Sequence, residues 1–328
     1  MLAFILRRVL QSIAVLLVVA FIAFGLFNFT GDPVAFMLPQ QATIQDRENL
    51  RKELGIDRPF YVQFVKFVDN AVHGDFGLSL RQGRPVSTLI RERLPATLEL
   101  SVAAALLAIC LGIPAGVYTA LRRESFGAQA LLAISLVGVS LPTFLIGILL
   151  ILVFAVQLGW LPSFGRGDTV AIGWWTTGLL TASGWKALIL PAITLSFFQM
   201  TLIMRLVRAE MLEVLRTDYV RFARARGLSD RAIHFGHALK NTLVPVITII
   251  GLQLGAIIAF ALVTETVFQW PGMGLLFIQA VYFADIPIMA AYLCFIALVF
   301  VIINLVVDLL YYAVDPRLRF ESGAGAGH

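Results

Sequence analysis

Long runs without a charged side chain constrain this chain more than any other feature of its sequence. A spanning helix needs about 20 apolar residues, since each adds about 1.5 Å across a hydrocarbon core of about 30 Å. Hydrophobic residues make up 59% of the chain and charged residues 14%, with a mean hydropathy of +0.88, whereas soluble domains carry roughly 25% charge. We therefore predict an all-α integral membrane protein with about six transmembrane helices, near residues 9–31, 100–121, 129–157, 187–204, 241–264 and 286–307.

Two apolar stretches admit a second interpretation. The first run resembles a signal peptide, but the apolar part of a signal peptide has only about 7–15 residues and ends in small side chains. This run ends in Phe27-Asn28-Phe29-Thr30, so we interpret it as a retained anchor. The stretch 169–185 lacks charge but is rich in glycine, threonine and tryptophan. It predicts an external loop or an interfacial helix, with a seventh span as the alternative.

Basic residues are concentrated in short segments on one side of the predicted bundle. These segments are the one before the first span, the loop between the second and third spans, the loop between the fourth and fifth spans, and the tail after the sixth. Cytoplasmic loops of membrane proteins carry this excess of lysine and arginine. Both termini are therefore predicted to be cytoplasmic. The net charge of +5 is explained by this topology, so membrane lipid is a predicted partner and nucleic acid is not.

The topology divides the chain into four parts. Residues 1–31 form the cytoplasmic end and first helix, 32–97 a periplasmic cap, 98–314 a five-helix core with a cytoplasmic loop at 206–245, and 315–328 a cytoplasmic tail. In the cap, one helix is expected from Thr43 to Gly55 and another to begin at Pro59. The second helix would place five residues on one apolar face, namely Phe60, Phe64, Phe67, Val68 and Ala71. The alternative is a mere spacer.

The loop between the fourth and fifth spans is the most informative segment. It is compatible with a helix up to Arg226, and Gly227 suits the left-handed position that ends a helix. Ser229 is a good N-cap for a second short helix that ends near Lys240. The expected result is two short helices joined at a bend, with Ala223 and Ala225 keeping the bend slim enough for another protein to approach. On charge alone, the basic character of this loop would reflect topology.

The spacing Ala223-x-Ala225-x-Gly227, followed by Pro245, resembles the EAA loop of ABC importer permeases. Phe222-Ala223-Arg224 stands in the place of Glu-Ala-Ala, as is common in the peptide branch of the family. Further resembling segments cover nearly the whole chain, including Gly31-Asp32-Pro33, Leu54-Gly55-Ile56-Asp57-Arg58-Pro59, Gly74-Asp75-Phe76-Gly77, Ser140-Leu141-Pro142-Thr143, Leu158-Gly159-Trp160-Leu161-Pro162, Trp270-Pro271-Gly272-Met273-Gly274 and Asp315-Pro316-Arg317. The resemblance departs at Ala259-Phe260-Ala261 and Ala284-Asp285-Ile286-Pro287, where the family often has paired glycines and Arg-Asp-Tyr-Pro.

The resemblance is to the first permease subunit of the dipeptide, oligopeptide, glutathione and nickel importers. It implies a type I ABC importer permease fold in the bacterial inner membrane. The implied partners are a second homologous permease, two cytoplasmic ATPases that bind ATP and Mg, and a periplasmic solute-binding protein. No cofactor is expected on this chain. Peptide is the first choice of substrate, and glutathione and nickel stay open.

Three groups of candidate site residues follow. The ATPase-coupling loop would use Tyr219, Phe222, Ala223, Arg224, Ala225, Arg226, Gly227, Ser229 and Asp230. Candidates for the pathway are Ser140, Pro142, Thr143 and Gln253, because a proline within a span leaves a carbonyl unsatisfied. The alternatives there are a repaired kink and, beside Gly251 and Gly255, close helix packing. Candidates for an external gate or a binding-protein contact are Glu265, Trp270 and Asp285.

Other functions are disfavoured by what the sequence lacks. A secondary transporter often needs ionisable residues within its spans and a repeated half-structure, and neither is clear. A membrane-embedded enzyme needs a nucleophile with a base or a metal cluster. The four histidines form no H-E-x-x-H arrangement, and Cys110 and Cys294 lie in apolar runs as packing residues. The chain also lacks G-x-x-x-x-G-K-[ST], so energy must come from another subunit.

Overall fold

Helices dominate the part of the chain that the computed structural model describes, which is residues 2–29, 43–45, 48 and 58–314. The helices are α1 (Leu2–Phe29), α2 (Phe60–Val72), α3 (Val86–Leu121), α4 (Phe126–Ser140), α5 (Thr143–Leu150), α6 (Ala182–Val214), α7 (Asp218–Ala225), α8 (Leu239–Val267), α9 (Met273–Tyr282) and α10 (Ile286–Val314). Two π-helical turns, Ile151–Gln157 and Ala232–Ala238, continue α5 and precede α8. Strands β1 (Val170–Ile172) and β2 (Trp175–Thr177) form a small sheet.

The predicted number of spans agrees with the helices. Among the described residues, five helices are long and apolar enough to cross a membrane: α1, α3, α6, α8 and α10. The pair formed by α4 and α5 with its π-helical turn makes a sixth if it is counted as one span. The expected all-α membrane protein with about six spanning helices is thus confirmed, with five or six spans among the described residues, and the third span has an unexpected form.

The third span is broken at Pro142, so the prediction of a single helix near 129–157 is wrong. At this break the helix axis is bent by 114° from a straight course. Leu141 has an extended backbone, with φ −94° and ψ 137°, because a following proline disfavours the helical region for the residue before it. Pro142 then precedes the first turn of α5, where its missing N–H removes no helical hydrogen bond.

Several other helix bounds differ from the predicted ones. α3 begins at Val86, so the last part of the predicted cap, 86–97, belongs to a spanning helix. α6 runs from Ala182 to Val214, well beyond 187–204, because arginine is a good helix former and Arg205 does not end it. The stretch 169–185 contains β1, β2 and the start of α6, and no interfacial helix. α9 was not predicted at all.

One compact unit comprises described residues within 1–96, 171–176 and 271–301. The predicted apolar face of α2 is confirmed, since Phe60 and Phe64 pack against Phe21 and Phe24 of α1 with ring centroids 5.0–6.0 Å apart. A second buried cluster joins α3, α9 and α10 through Val86, Leu89, Leu276, Ala280, Ile288 and Ala291. The predicted cap helix from Thr43 to Gly55 lies largely outside the described residues.

The other unit comprises described residues within 97–170, 177–270 and 302–314. Its core joins α3, α6 and α8 through Ala108, Val117, Ala120, Ile203, Val207, Met211 and Val246. Gly112 and Gly116 let α3 approach α6 closely: a Cβ on Gly116 would lie 2.6 Å from Cβ of Val207 and 2.7 Å from the carbonyl oxygen of Met204. This unit carries the loop that the sequence singled out.

Candidate functional site

The elbow, residues 215–240, joins α6 to α8. Its first helix, α7, has Asp218 in the first turn and Arg224 in the last, a charge order that favours the helix dipole. Gly227 has a φ of +79°, and its N–H donates to the carbonyl of Arg224 at 3.0 Å. The predicted left-handed glycine is thus confirmed. The Ser229 hydroxyl accepts from the N–H of Ala232 at 3.4 Å, as expected of an N-cap.

The second half of the elbow differs from the prediction of a short helix that ends near Lys240. Helix resumes at Asp230 and passes through the π-helical turn into α8 without a break. Nothing between Ala232 and Lys240 stops a helix, and Pro245 lies within α8. The elbow is therefore attached directly to the fifth span.

The inner side of the elbow is a small apolar cluster. Val220, Ala223 and Ile233 are buried together, against Val214 and Leu215. The hydroxyl of Tyr219 accepts from Nδ2 of Asn241 at 2.8 Å, which ties α7 to the start of α8. Ala223 therefore packs on the inner side of the elbow, and its predicted role in keeping the bend slim stays a prediction. Ala225 is exposed.

The outer side of the elbow exposes large apolar side chains among arginines. Phe222 is 64% exposed and Phe235 53%, and Tyr219 and Leu228 are each about 40% exposed. The remaining predicted coupling residues are exposed on the same segment, namely Arg224, Arg226, Gly227, Ser229 and Asp230. Clusters of exposed apolar groups are typical of surfaces that bind another protein, a membrane or a ligand. The sequence analysis missed Leu228 and Phe235, although apolar residues amid charged neighbours were a visible signal.

The pathway candidates fall in two places. Ser140 and Pro142 are exposed and Thr143 is half-buried, at the break of the third span. Gln253 is half-buried on α8. Gly251 packs so closely on Val307 of α10 that a Cβ would overlap its side chain. Close helix packing, the alternative considered for the glycines of this span, therefore holds for Gly251.

The three external candidates are all buried. Trp270 and Asp285 are each 1% exposed and Glu265 is fully buried. Glu265 accepts a hydrogen bond from the hydroxyl of Thr97 at 2.6 Å, and its carbonyl accepts from the N–H of Trp270 at 2.8 Å. Buried side chains are better placed to hold neighbouring segments together than to contact a second protein, and the choice between gate and binding-protein contact stays a prediction.

Asp285 holds a turn in place. Its carboxylate accepts from the hydroxyl of Ser79, from the N–H of Leu80 at 3.1 Å and from the N–H of Arg81 at 3.3 Å. The guanidinium of Arg81 lies 3.4 Å from the ring centre of Phe283. The segment before α10 and the glycine-rich turn after α2 are thus fixed to each other by one buried carboxylate.

A buried ion pair escaped the sequence analysis. The guanidinium of Arg166 donates to Glu99 through Nη2 and, at 3.2 Å, through Nε. Both side chains are only 5–6% exposed, and the N–H of Gly178 also points at Glu99, 3.4 Å away. Glu99 is the sole charge between Arg93 and Arg122, and such an isolated charge at a span signals a partner. The pair fixes the loop before α6 to α3.

Apolar spanning helices with one broken span and an exposed elbow of apolar and basic side chains are typical of the membrane subunit of a transporter. The chain belongs to the family described as binding-protein-dependent transport system inner membrane component, which matches residues 112–320, and the N-terminal component of the same systems matches residues 1–101. It is a non-catalytic permease subunit of an ABC importer, as the resemblance implied, and not a secondary transporter.

Curated relatives match along the whole chain. The dipeptide transport system permease protein DppB of Alkalihalophilus pseudofirmus is 38% identical over 333 residues, which cover 98% of this chain and 100% of that protein. The glutathione transport system permease protein GsiC of Escherichia coli strain K12 is 37% identical over 322 residues, with coverage of 98% and 100%.

Solved structures support the fold. Two inward-facing crystal forms of the MetNI methionine ABC transporter match with TM-scores of 0.55 and 0.52, at 18% and 19% identity. The matches cover 69% and 67% of this chain and 96% and 93% of the other. At such identities the likeness shows the fold alone, and it confirms the predicted type I importer permease fold.

Proposed function

We propose that this chain is the permease of an importer for dipeptides or short oligopeptides. Its partners are a second homologous permease, two ATPases that bind ATP and Mg, and a periplasmic solute-binding protein. Both termini and the elbow face the cytoplasm. The full-length similarity to a dipeptide permease supports the substrate class, and the basic residues beside the spans support the orientation.

The observation that carries the mechanism is the outer surface of the elbow. Four large apolar side chains are exposed there, while the inner cluster of Val220, Ala223 and Ile233 fixes the backbone that bears them. A rigid apolar surface with surrounding arginines fits a groove with an acidic rim on an ATPase. Closure of the ATPases on ATP would then move α6 and α8, which the elbow connects, and open the pathway outward.

Within the spans, the same proposal assigns two roles. The break at Ser140, Pro142 and Thr143 and the half-buried Gln253 contribute polar groups to the pathway. Glu265, Trp270 and Asp285 are each assigned to the external gate, because each is buried near the predicted external end of a span. The pathway role rests on the interrupted helix and the polar side chains beside it, and the gate role rests on the burial of polar side chains.

The test is uptake by the assembled transporter in proteoliposomes, with the binding protein on the outside and ATP inside. We expect uptake of a labelled dipeptide that depends on ATP and on this chain, and no ATP hydrolysis by the purified chain alone. Phe222→Ala should lower both uptake and stimulated ATP hydrolysis, since it removes the most exposed aromatic of the elbow. Uptake and stimulated ATP hydrolysis that both stay at the level of the unaltered transporter would contradict the role of the elbow.

A glutathione importer is the second candidate, because the glutathione permease is as similar as the dipeptide permease, at 37% against 38% identity. Both solutes are small peptides with free carboxylates. The same proteoliposomes distinguish them by direct competition, in which unlabelled glutathione either suppresses dipeptide uptake or leaves it unchanged. Nickel, the remaining prediction from the resemblance, is tested by uptake of the labelled metal ion.

A further inference from the structure

A cleft of about 370 Å³ opens between α4 and α6. Its lining combines two arginines with apolar and small side chains: Leu132, Ser135, Leu136, Arg205, Arg208, Ala209 and Leu212. The cleft lies in the last three turns of α6, just before the elbow. None of the lining residues is acidic, so the charge of the cleft is purely positive.

The two arginines are not neutralised by an ion pair within the described part of the chain. Arg205 and Arg208 are three residues apart and therefore share one face of α6. Neither makes an ion pair with a described residue, and the Nε–H of Arg208 is buried without an acceptor among them. A buried N–H without a partner is unfavourable. The geometry therefore favours an anion at this position.

The rest of the lining indicates which anion fits. Leu132, Leu136 and Leu212 surround the guanidinium groups with apolar surface. Beside the cleft, α4 exposes further apolar side chains, since Ile134, Leu136 and Val137 are 46–56% exposed. A ligand with an anionic group and an apolar body would match both the arginines and the apolar surface. A guanidinium group can bind a phosphate through two parallel hydrogen bonds. Basic pockets between spanning helices are known binding places for anionic lipid head groups.

We propose that this cleft binds the phosphate of an anionic phospholipid, with its acyl chains along the exposed apolar face of α4. The bound lipid would then contact the end of α6 that leads into the elbow. The site is independent of which solute is transported, because it requires only the α4–α6 cleft and a membrane that contains anionic lipid.

The test uses the full-length chain in mild detergent and native mass spectrometry. Phosphatidylglycerol and phosphatidylcholine with identical acyl chains are titrated separately. We expect phosphatidylglycerol to bind preferentially, and the double substitution Arg205→Gln with Arg208→Gln to weaken that binding about tenfold, since hydrogen bonds to a charged group are lost. Arg208→Lys keeps the charge and should retain more binding than Arg208→Gln at an equal melting temperature.

Arg122→Gln is the matched control, because Arg122 is an exposed arginine beside the start of α4 that does not line the cleft; it should bind phosphatidylglycerol as the unaltered chain does. Equal binding of both lipids, or full binding by the double variant, would overturn the proposal. Displacement of phosphatidylglycerol by inorganic phosphate or by a dipeptide at millimolar concentration would instead assign the cleft to a free anion, and so reject the lipid.

Discussion

Glycine is required at position 227 by the backbone conformation, and not by a lack of room for a side chain. Its φ of +79° lies in the left-handed region, and no atom stands within 4 Å of the position that a Cβ would take. For other residues, adopting that conformation costs roughly 1–2 kcal/mol of conformational free energy, and the cost is highest for a β-branched residue. The bend between α7 and the start of the second helix therefore depends on one residue.

Gly227→Val should reshape the elbow and lower transport per ATP hydrolysed, while the helix bundle stays folded. The measurement is uptake and stimulated ATP hydrolysis of the assembled transporter. Gly236→Ala is the matched control, because Gly236 lies in the same elbow with open space around it and no positive φ. Normal stimulated hydrolysis with normal uptake in Gly227→Val would contradict the coupling role.

The buried pair of Glu99 and Arg166 predicts a large effect on stability. Arg166→Met leaves the carboxylate of Glu99 buried without its partner, which typically costs about 3–5 kcal/mol. We expect a clear drop in the melting temperature of the purified chain, largely recovered in the double variant Glu99→Leu with Arg166→Met. Breaking the exposed pair of Arg84 and Glu92 by Arg84→Met should change the melting temperature little. Equal shifts for the two arginines would refute this ranking.

At the scale of elements, contact between α3 and α6 rests on the absence of a side chain at Gly116. Val207 and Met204 fill the space where a Cβ would stand. Gly116→Leu should therefore push the two helices apart and destabilise the chain by about 1–3 kcal/mol or more, as overpacking does. Thermal unfolding in detergent measures the effect. Gly25→Leu on α1, where nothing lies within 4 Å, should melt as the unaltered chain does.

How far the sequence predicts these elements depends on the local signal. Charge-free runs located every spanning helix, because hydrocarbon imposes length and composition together. They could not show the 114° break, since a proline at position 142 is compatible with a kinked helix as well as with two helices. The helix α9 was not predicted because Met273–Tyr282 is too short to span a membrane. Its burial against α3 and α10 depends on tertiary contacts, which the local sequence does not show.

In the candidate site too, features set by the local sequence were predictable and features set by distant neighbours were not. Gly227 and Ser229 were predictable because backbone conformation and capping are local properties. The burial of Ala223, Glu265, Trp270 and Asp285 was not, since it depends on neighbours distant in sequence, such as Ile233 for Ala223 and Thr97 for Glu265. Sequence periodicity carries no information about those neighbours.

At the scale of the whole molecule, the proposed orientation makes a prediction about two exposed positions. In a chain freed of Cys110 and Cys294, a membrane-impermeant maleimide should label Thr169→Cys in intact spheroplasts. It should label Asp230→Cys only after the membrane is permeabilised, because the elbow would be cytoplasmic. Both positions are exposed, so a difference in labelling reports the side of the membrane. The reverse pattern would invert the topology.

The length of α6 has a mechanical consequence. Beyond Pro191, its only proline, residues 192–214 form an uninterrupted helix of about 35 Å at 1.5 Å per residue. Sharp bends in helices occur at prolines and similar defects, so this stretch acts as a stiff lever with its pivot near Pro191. A small push on the elbow would swing residues 192–214 as one piece about that pivot. The Gly116 contact and the Arg205–Arg208 face would be carried along with it, instead of deforming one after another.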